Sequence, residues 1–292
     1  MNQSRTKSKW NTAESSSDFW VIPRVRKRWN EKCTGDPDLS YEDYLMKTHL
    51  MDSNNLKMLS VGCGTGARER HFATYSNFAL IEGIDMAEKQ IEKASRYAAE
   101  ANMQSIRYLT GNFLNHDFKP ESYDVILFNS SLHHFKGISK LLQTKVKPLL
   151  KAGGLLVIFE YVGPNRLQWT PEQLKFANKV LKSLPDTYKF RYNSSSVKQH
   201  IYRPGLLRML AVDPSEAVDS ESILPAIHGH FKTVEEKQMG WDITHLLFKD
   251  IGHNFLNEDE ETTAWLEHIF EQEDQYLEKT GRSDAVFGVY RK

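Results

Sequence analysis

The stretch LSVGCGTG at residues 59–66 decides the fold that this 292-residue sequence predicts. An apolar run ends at Val61, three glycines (Gly62, Gly64 and Gly66) alternate with other residues, and a helical pattern begins after them. Glycines let the backbone turn sharply and approach a ligand closely, while the amino end of the next helix offers N–H groups to an electron-rich group. The stretch therefore predicts a strand, a ligand-binding loop and a helix at the start of an α/β unit.

The alternation of strand and helix continues beyond this loop. Apolar runs predict strands at 58–61, 79–84, 106–109, 123–128 and 155–160, with helical patterns between them. Two more strands are expected at 231–239 and 285–290, the last folding back onto the edge of the sheet. Strands that alternate with helices imply right-handed crossovers. We therefore predict an α/β fold with a doubly wound, mostly parallel sheet of seven strands.

The glycine loop alone leaves two classes of cofactor open. With Ala67 it satisfies the pattern of a dinucleotide site, and Asp85 stands where a ribose-binding acid is expected. An NAD-dependent oxidoreductase therefore has to be weighed beside enzymes that bind another adenosine cofactor.

Four later stretches carry a resemblance to a known family. They are IDMA at 84–87, GNF at 111–113, YDVI through SLHHF at 123–135, and LLKAGGL at 149–155. Together with the glycine loop they resemble the motifs of class I S-adenosylmethionine (SAM)-dependent methyltransferases. The resemblance implies a Rossmann-like core and SAM as the cofactor. The stretch DPSEAV at 213–218, followed by ESI at 221–223, is similar to a segment of bacterial methyltransferases of secondary or glycan metabolism.

Four regions follow from this resemblance. They are an N-terminal helical lid (1–50), the SAM-binding core (51–164), a helical substrate cap inserted after the fifth strand (165–230), and the C-terminal part of the sheet with its helices (231–292). Two amphipathic helices are expected in the last region, at 244–255 and 259–279. His228 and His230 are spaced for one face of a strand, which indicates a structural role.

The resemblance also implies which residues bind the cofactor. They lie at the ends of the first four strands: Gly62, Cys63, Gly64, Gly66, Asp85, Met86, Asn112, Phe113, Asn129 and Ser130. Two positions depart from the family pattern. Ser60 stands where the family often has an acid that helps to hold the amino group of SAM, which favours weaker binding or a substitute acid elsewhere. Asn112 replaces an acid on the adenine side, although its amide can still pair with adenine.

Methyl transfer requires alignment of acceptor, methyl and sulfur and, for some acceptors, the removal of one proton. The candidates stand at the carboxyl ends of strands four and five, where such sheets bind ligands. They are His133 and His134 after strand four, and Glu160 and Tyr161 at the end of strand five. Each can also be a structural hydrogen-bonding residue. No metal is expected, because no Cys/His cluster has zinc-like spacing.

Composition narrows the partners. Lys plus Arg and Asp plus Glu both number 38, and this neutral balance disfavours nucleic acid, whose binding proteins usually carry a basic excess. No apolar run reaches the roughly 18 residues of a membrane helix. Two cysteines, Cys33 and Cys63, fit a reducing cytoplasm. The sequence leaves the oligomeric state open, a homodimer included.

The sequence as a whole predicts a cytoplasmic SAM-dependent methyltransferase that transfers a methyl group to an O or N atom of a natural-product or sugar-like small molecule. An RNA or protein methyltransferase is the main alternative on substrate. An NAD-dependent oxidoreductase is a weaker one, as is a non-catalytic SAM-binding protein, which the serine at position 60 suggests.

Overall fold

A computed structural model describes residues 17–292, so that residues 1–16 of the predicted lid lie outside the described part. Its centre is a seven-stranded sheet in the order β3-β2-β1-β4-β5-β7-β6, in which β7 alone runs antiparallel to both neighbours. This confirms the predicted fold class. The strands are β1 Leu56–Val61, β2 Phe78–Asp85, β3 Ile106–Thr110, β4 Tyr123–Asn129, β5 Leu150–Tyr161, β6 Lys232–Gly240 and β7 Ala285–Arg291.

The position of the last strand corrects one expectation. β7 does not lie at the edge of the sheet but is inserted between β5 and β6. Its residues from Ala285 to Tyr290 are all buried, whereas β6 is polar and exposed over much of its length. An apolar strand gains from neighbours on both sides, and a charged strand is suited to an open edge. The order of these two strands follows from that difference.

Ten helices surround the sheet in the described part. They are α1 Pro23–Thr34, α2 Tyr41–Leu45, α3 Ala67–Phe72, α4 Glu88–Glu100, α5 Ile138–Leu141, α6 Pro171–Ser183, α7 Leu206–Val212, α8 Ile223–His230, α9 Thr244–Phe248 and α10 Glu260–Thr280. A π-helical stretch, Leu142–Val146, and a last turn, Lys147–Leu149, prolong α5. None of the helices within residues 17–292 combines the length and apolar character needed to cross a bilayer.

Two expectations about the C-terminal half are wrong in detail. The helix predicted at 244–255 ends at Phe248, because the Lys198 ammonium donates to the carbonyls of Leu246, Leu247 and Lys249 and so satisfies the end of the helix. Asp250, in the left-handed region at φ +68°, then turns the chain. His228 and His230 lie in the last turn of α8 rather than on a strand, and alternation over so short a segment does not separate the two.

An aromatic cluster fixes the N-terminal segment on the sheet. Pro23 occupies the first position of α1, where proline is tolerated, and Phe19 precedes it in a short 3₁₀ turn. Trp20 and Trp29 pack edge-on against each other with ring centroids 4.9 Å apart, and Trp241, just after β6, lies 5.0 Å from Trp20. The segment thereby covers the sheet near the end of β5, where Phe159 contacts Trp29.

Candidate functional site

A cavity of about 360 Å³ opens at the carboxyl ends of β1 to β4. Its position is the one expected for ligands of an open α/β sheet. Seven of the ten predicted cofactor residues line it: Gly62, Gly64, Asp85, Met86, Asn112, Phe113 and Ser130. The lining also includes residues that were not predicted to bind the cofactor: Val61, Ile84, Ala87, Gly111, Leu114, Ser131, His134, Phe135, Lys136 and Ser215.

The glycine loop needs its glycines for two different reasons. Gly62, Gly64 and Gly66 all have positive φ, at 75°, 54° and 73°, a region that other residues enter only with strain. A Cβ on Gly62 would come within 2.5 Å of the Ser131 Cβ, whereas a Cβ on Gly64 would meet no protein atom within 4 Å. Gly62 therefore permits close packing against the loop after β4, and Gly64 leaves its own part of the cavity wall without a side chain.

Asp85 ties the second strand to this loop. One carboxylate oxygen accepts a hydrogen bond from the Gly64 N–H at 2.9 Å, and the other accepts from the Ala87 N–H at 2.8 Å. Burial raises the pKa of the Asp85 carboxyl, and these backbone hydrogen bonds oppose the shift. The Asp85 carboxylate is therefore a hydrogen-bond acceptor on the cavity wall, beside the glycine loop.

The wall next to β3 is apolar with one amide. Phe113 is buried and contacts Phe118, Phe128 and Phe135 edge-on or tilted. The Asn112 Oδ1 accepts from the Leu114 N–H at 2.9 Å, which fixes the amide at the rim of the cavity. A flat ring with polar edges fits such a wall, because its faces meet aromatic carbon and its edge meets an amide.

Three predicted cofactor residues lie behind the wall rather than on it. Burial raises the pKa of the Cys63 thiol well above its usual range, so that the thiol stays protonated. The Gly66 carbonyl accepts from the Tyr108 hydroxyl at 3.0 Å, and the Asn129 Oδ1 accepts from the Tyr41 hydroxyl at 2.9 Å. Tyr41 belongs to the N-terminal segment and was not predicted as a site residue, because nothing in its local sequence reveals this long-range contact.

Ser130 carries a backbone feature that often accompanies function. Its φ is +51°, and its buried hydroxyl oxygen has no hydrogen-bond partner among residues 17–292. Strained backbone persists where the surrounding structure enforces it, and an unpaired buried hydroxyl on a cavity wall is suited to pairing with a ligand.

A second group of polar side chains stands beside the cavity, at the ends of β4 and β5. Glu160 is fully buried and accepts hydrogen bonds from the Ser131 N–H at 2.8 Å and the Leu132 N–H at 2.6 Å. It also hydrogen-bonds the Nδ1 of His133. The loop after β4 and the end of β5 are therefore joined through one carboxylate.

The other ring nitrogen of His133 faces a second carboxylate. Its Nε2 lies 3.5 Å from an oxygen of Glu216, a residue of the inserted region. Burial opposes the charged imidazolium, but the charge and hydrogen bond of Glu160, together with the charges of Glu216 and Asp213, outweigh burial and raise the pKa of His133. His133 is thus an imidazole held between two carboxylates, an arrangement able to accept and pass a proton.

His134 and Tyr161 differ in their relation to the cavity. His134 lines it, and its Nδ1 lies 3.1 Å from the Ser215 hydroxyl. Burial, with the charge of His133, lowers the pKa of His134 to about 4, so that this ring is neutral. Tyr161 is buried, and its hydroxyl donates to the Pro164 carbonyl at 3.1 Å, away from the cavity wall.

Atoms of His133, His134 and Glu216 that could bind a metal lie within 4.8 Å of one another. One nitrogen of each ring is already engaged, by Glu160 and by Ser215 respectively. The expectation that the site needs no metal stays a prediction, which a chelator tests directly.

Unpaired polar nitrogens lie close to this group. The Trp241 Nε1 and the His245 Nδ1 are buried and have no hydrogen-bond partner among the described residues, whereas the side chain of Trp169 hydrogen-bonds Tyr161. The ring of His245 lies 5.8 Å from that of Trp169 and 6.3 Å from that of Trp241. Burial lowers the pKa of His245 to about 3, so that it too is neutral. Aromatic rings with unpaired nitrogens are suited to binding an uncharged polar molecule.

Sequence reasoning did not predict Ser215 or Glu216 as site residues. Both belong to the stretch at 213–218 that was noticed only for its resemblance to bacterial relatives. The Asp213 carboxylate accepts from the Ser215 N–H at 3.0 Å and from its hydroxyl, and this turn presents both residues to the cavity side. The sequence signal that could have identified these two residues is a polar stretch within the insertion after the fifth strand.

Comparison with known proteins gives a consistent result. Residues 52–237 match the family model described as a methyltransferase domain. A sterol 24-C-methyltransferase of Candida albicans is 26% identical over 155 residues, which cover 51% of this chain and 41% of that protein. The chain thus spans about two fifths of the length of the curated relatives that it matches first.

Two solved structures have a similar fold. The geranyl diphosphate C-methyltransferase of Streptomyces coelicolor, in complex with Mg²⁺, geranyl-S-thiolodiphosphate and S-adenosyl-L-homocysteine, gives a TM-score of 0.53 at 14% identity and covers 99% of this chain and 96% of that one. The phosphoethanolamine N-methyltransferase 2 of Haemonchus contortus, in complex with SAM, gives 0.52 at 15% identity and covers 86% and 52%.

Proposed function

Because the chain belongs to the methyltransferase-domain family, we propose that it uses SAM to methylate a hydroxyl group of a small, polar, sugar-like acceptor. The observation that carries the proposal is the chain of contacts from Glu160 through His133 to Glu216 beside the cavity. Membership of this family argues against the hypothesis of an NAD-dependent oxidoreductase.

The residues of the cavity fit the cofactor. Gly64 leaves the wall open to close approach, Asp85 offers a carboxylate to ribose hydroxyls, and Asn112 with Phe113 suits an adenine ring. The unpaired Ser130 hydroxyl offers one further hydrogen bond at the end of β4. When bound, SAM supplies an electrophilic methyl group on a positively charged sulfur, an excellent leaving group.

The four predicted catalytic residues take different roles in this proposal. The Nε2 of His133 accepts the proton of the acceptor hydroxyl as that oxygen becomes nucleophilic. Glu160 is a positioning residue, because it orients the His133 ring and stabilises its protonated form. His134, neutral and on the cavity wall, hydrogen-bonds the acceptor. Tyr161 supports the turn at Pro164 and does not touch the acceptor.

The inserted region completes the acceptor side. We assign residues 165–230 to an acceptor cap, since Ser215 lines the cavity and Glu216 faces His133 from this region. The N-terminal segment acts as the lid, with Tyr41 on Asn129. The unpaired nitrogens of Trp241 and His245 favour a hydroxyl-rich acceptor. The unpaired thiols of Cys33 and Cys63 support a cytoplasmic location.

A second candidate is transfer to carbon. It is favoured by the match to sterol 24-C-methyltransferases and by the fold shared with a geranyl diphosphate C-methyltransferase. A carbon acceptor of that kind is largely apolar and offers little to the neutral polar nitrogens around His245. The two candidates therefore differ in the polarity of the acceptor that they require.

An acceptor panel decides between them. SAM carrying a labelled methyl group is incubated with the protein and with matched hydroxylated glycosides, primary amines and isoprenoid alcohols or diphosphates. We expect label on oxygen of a glycoside-type acceptor. His133→Gln should then lower turnover by about 10²- to 10⁴-fold, the usual contribution of a general base, with an unchanged Kd for SAM.

The exposed His228, which contacts Glu236 on the far edge of the sheet, provides the matched control, and His228→Gln should turn over as wild type does. Transfer to isoprenoid carbon, to an amine, or undiminished turnover by His133→Gln would each contradict the proposal.

A further inference from the structure

A buried carboxylate that forms no salt bridge with any residue from 17 to 292 lies directly behind the glycine loop. Glu69, in the first turn of α3, is 1% exposed, and its Oε2 has no hydrogen-bond partner among residues 17–292. Leaving a buried carboxylate oxygen unpaired costs free energy, so such a group is usually retained for a reason.

The arginines on either side of Glu69 in the sequence are engaged elsewhere. The Arg68 guanidinium donates to Glu42 at 2.6 Å, and the Arg70 guanidinium donates to the Thr65 carbonyl at 2.6 Å. Burial raises the pKa of Glu69 to about 6, opposed by a hydrogen bond from Ser60 and by the charges of the two arginines. Glu69 is therefore a buried carboxylate whose charged form a nearby cation would stabilise.

The order of the strands shows which end of the cofactor reaches this place. The adenine-side residues Asn112 and Phe113 follow β3, and the ribose-side acid Asp85 ends β2. If adenine and ribose bind there, the strand order leaves β1 and β4, where the glycine loop lies, for the remaining end of SAM. That end carries the α-amino group of a methionine, which is a cation at neutral pH.

Other acids near this end already have partners. Glu42 is paired with Arg68, Asp85 accepts two backbone N–H groups, and Glu160 is bound to His133 and its loop. The part of the loop that lines the cavity, Gly62 and Gly64, is uncharged. We infer that Glu69 supplies the negative charge that holds the α-ammonium group of the cofactor, from behind the glycine loop and next to Ser60.

The role of Glu69 concerns the cofactor and is independent of the acceptor that is methylated. This role predicts that Glu69 affects the binding only of ligands that carry the amino-acid end of SAM. Glu69→Gln should weaken SAM and S-adenosylhomocysteine by about 10- to 100-fold, the range expected for a lost charge-assisted interaction. 5′-Methylthioadenosine has the same adenosine and thioether but no amino-acid end, and its Kd should stay within about twofold of the wild-type value.

The experiment measures the three dissociation constants by titration calorimetry for wild type, Glu69→Gln and Glu82→Gln. Glu82 is a second buried glutamate, in β2, and it accepts a hydrogen bond from the Tyr123 hydroxyl at 2.6 Å, so its variant controls for loss of a buried charge. Thermal unfolding without ligand verifies that each variant is folded.

A relocated charge sharpens the test. Because the Ser60 side chain lies beside Glu69, the double variant Ser60→Asp/Glu69→Gln returns a carboxylate to the same place from β1. We expect it to recover most of the lost affinity for SAM and S-adenosylhomocysteine. Equal weakening of all three ligands in Glu69→Gln, no weakening of any, or no recovery in a folded double variant would overturn the assignment.

Discussion

The proposed cofactor half of the cavity and the proposed acceptor half differ in the sequence separation of the residues that form them. On the cofactor side, the contact between Gly64 and Asp85 joins residues 21 positions apart. On the acceptor side, the contact between His134 and Ser215 joins residues 81 positions apart. The first half is built largely from backbone at the ends of neighbouring strands, and the second from side chains that a separate insertion brings to the sheet.

This difference has a chemical reason. A cofactor shared by many reactions is held by strand ends and a loop, whose geometry the fold itself sets. An acceptor is recognised by particular side chains, and an insertion can vary without disturbing the sheet. Changes in the two halves should therefore affect different measurable quantities, cofactor affinity in one and turnover in the other.

The largest effect is expected for Gly64→Arg. A side chain here meets no protein atom but enters the cavity from a left-handed backbone position, so it should block the cofactor while the fold survives. The stabilisation of about 2.7 kcal/mol that SAM gives at 100 times its Kd should vanish in a thermal-shift experiment. A wild-type shift would break the assignment of the loop to the cofactor.

A smaller loss is expected for Asp85→Ala. The variant removes the carboxylate from the cavity wall and also the anchor of the Gly64 and Ala87 N–H groups. SAM binding should weaken by about 1–3 kcal/mol, as expected for the loss of charge-assisted hydrogen bonds. Calorimetry measures it, and turnover at saturating SAM should change less than affinity does. A larger change in turnover than in affinity would show that cofactor binding and catalysis do not separate between the two halves of the cavity.

A change in pH dependence is expected for Glu160→Gln. In the proposed reaction the neutral form of His133 accepts the proton, so activity should be lost as pH falls through the pKa of His133, which its carboxylate neighbours raise above 6.5. Removing the charge of Glu160 lowers that pKa, and the acid limb of the pH–rate profile should move to lower pH. Glu216 and Asp213 also face this ring, so Glu216→Gln should shift the limb in the same direction by less.

The smallest effect is expected from a chelator. Incubation with EDTA followed by gel filtration should leave turnover unchanged, because in the proposed reaction His133, His134 and Glu216 exchange protons and hydrogen bonds rather than bind a metal. Loss of turnover that Mg²⁺ or Zn²⁺ restores would assign those three residues to a metal instead.

The sequence predicted the local parts of the site better than the long-range ones. The glycine loop and Asp85 are recognisable because strand, turn and helix follow one another within a short stretch. Glu69 was not predicted as a site residue, because its burial depends on packing against Ser60 and the N-terminal segment. A glutamate in the first turn of a helix is also typical of a surface position. The contact between His133 and Glu216 was not predicted, because no sequence pattern relates these two positions.

The same contrast holds for the fold. Alternating strands and helices predicted the parallel part of the sheet, since each crossover is local. The place of β7 depends on its pairing with both β5 and β6, which are distant from it in sequence, so no local pattern reveals it. The end of α9 depends on Lys198, which is distant in sequence and buried in the final structure.

The tryptophan cluster of the N-terminal segment has an experimental consequence. Trp20, Trp29 and Trp241 lie with their indoles 4.9–5.4 Å apart and steeply inclined, so their electronic transitions are coupled. Such coupling gives a paired positive and negative band in circular dichroism that vanishes when the rings separate. The protein thus carries an unlabelled optical signal of whether its first helix is seated on the sheet, and rapid mixing with cofactor could follow that seating in real time.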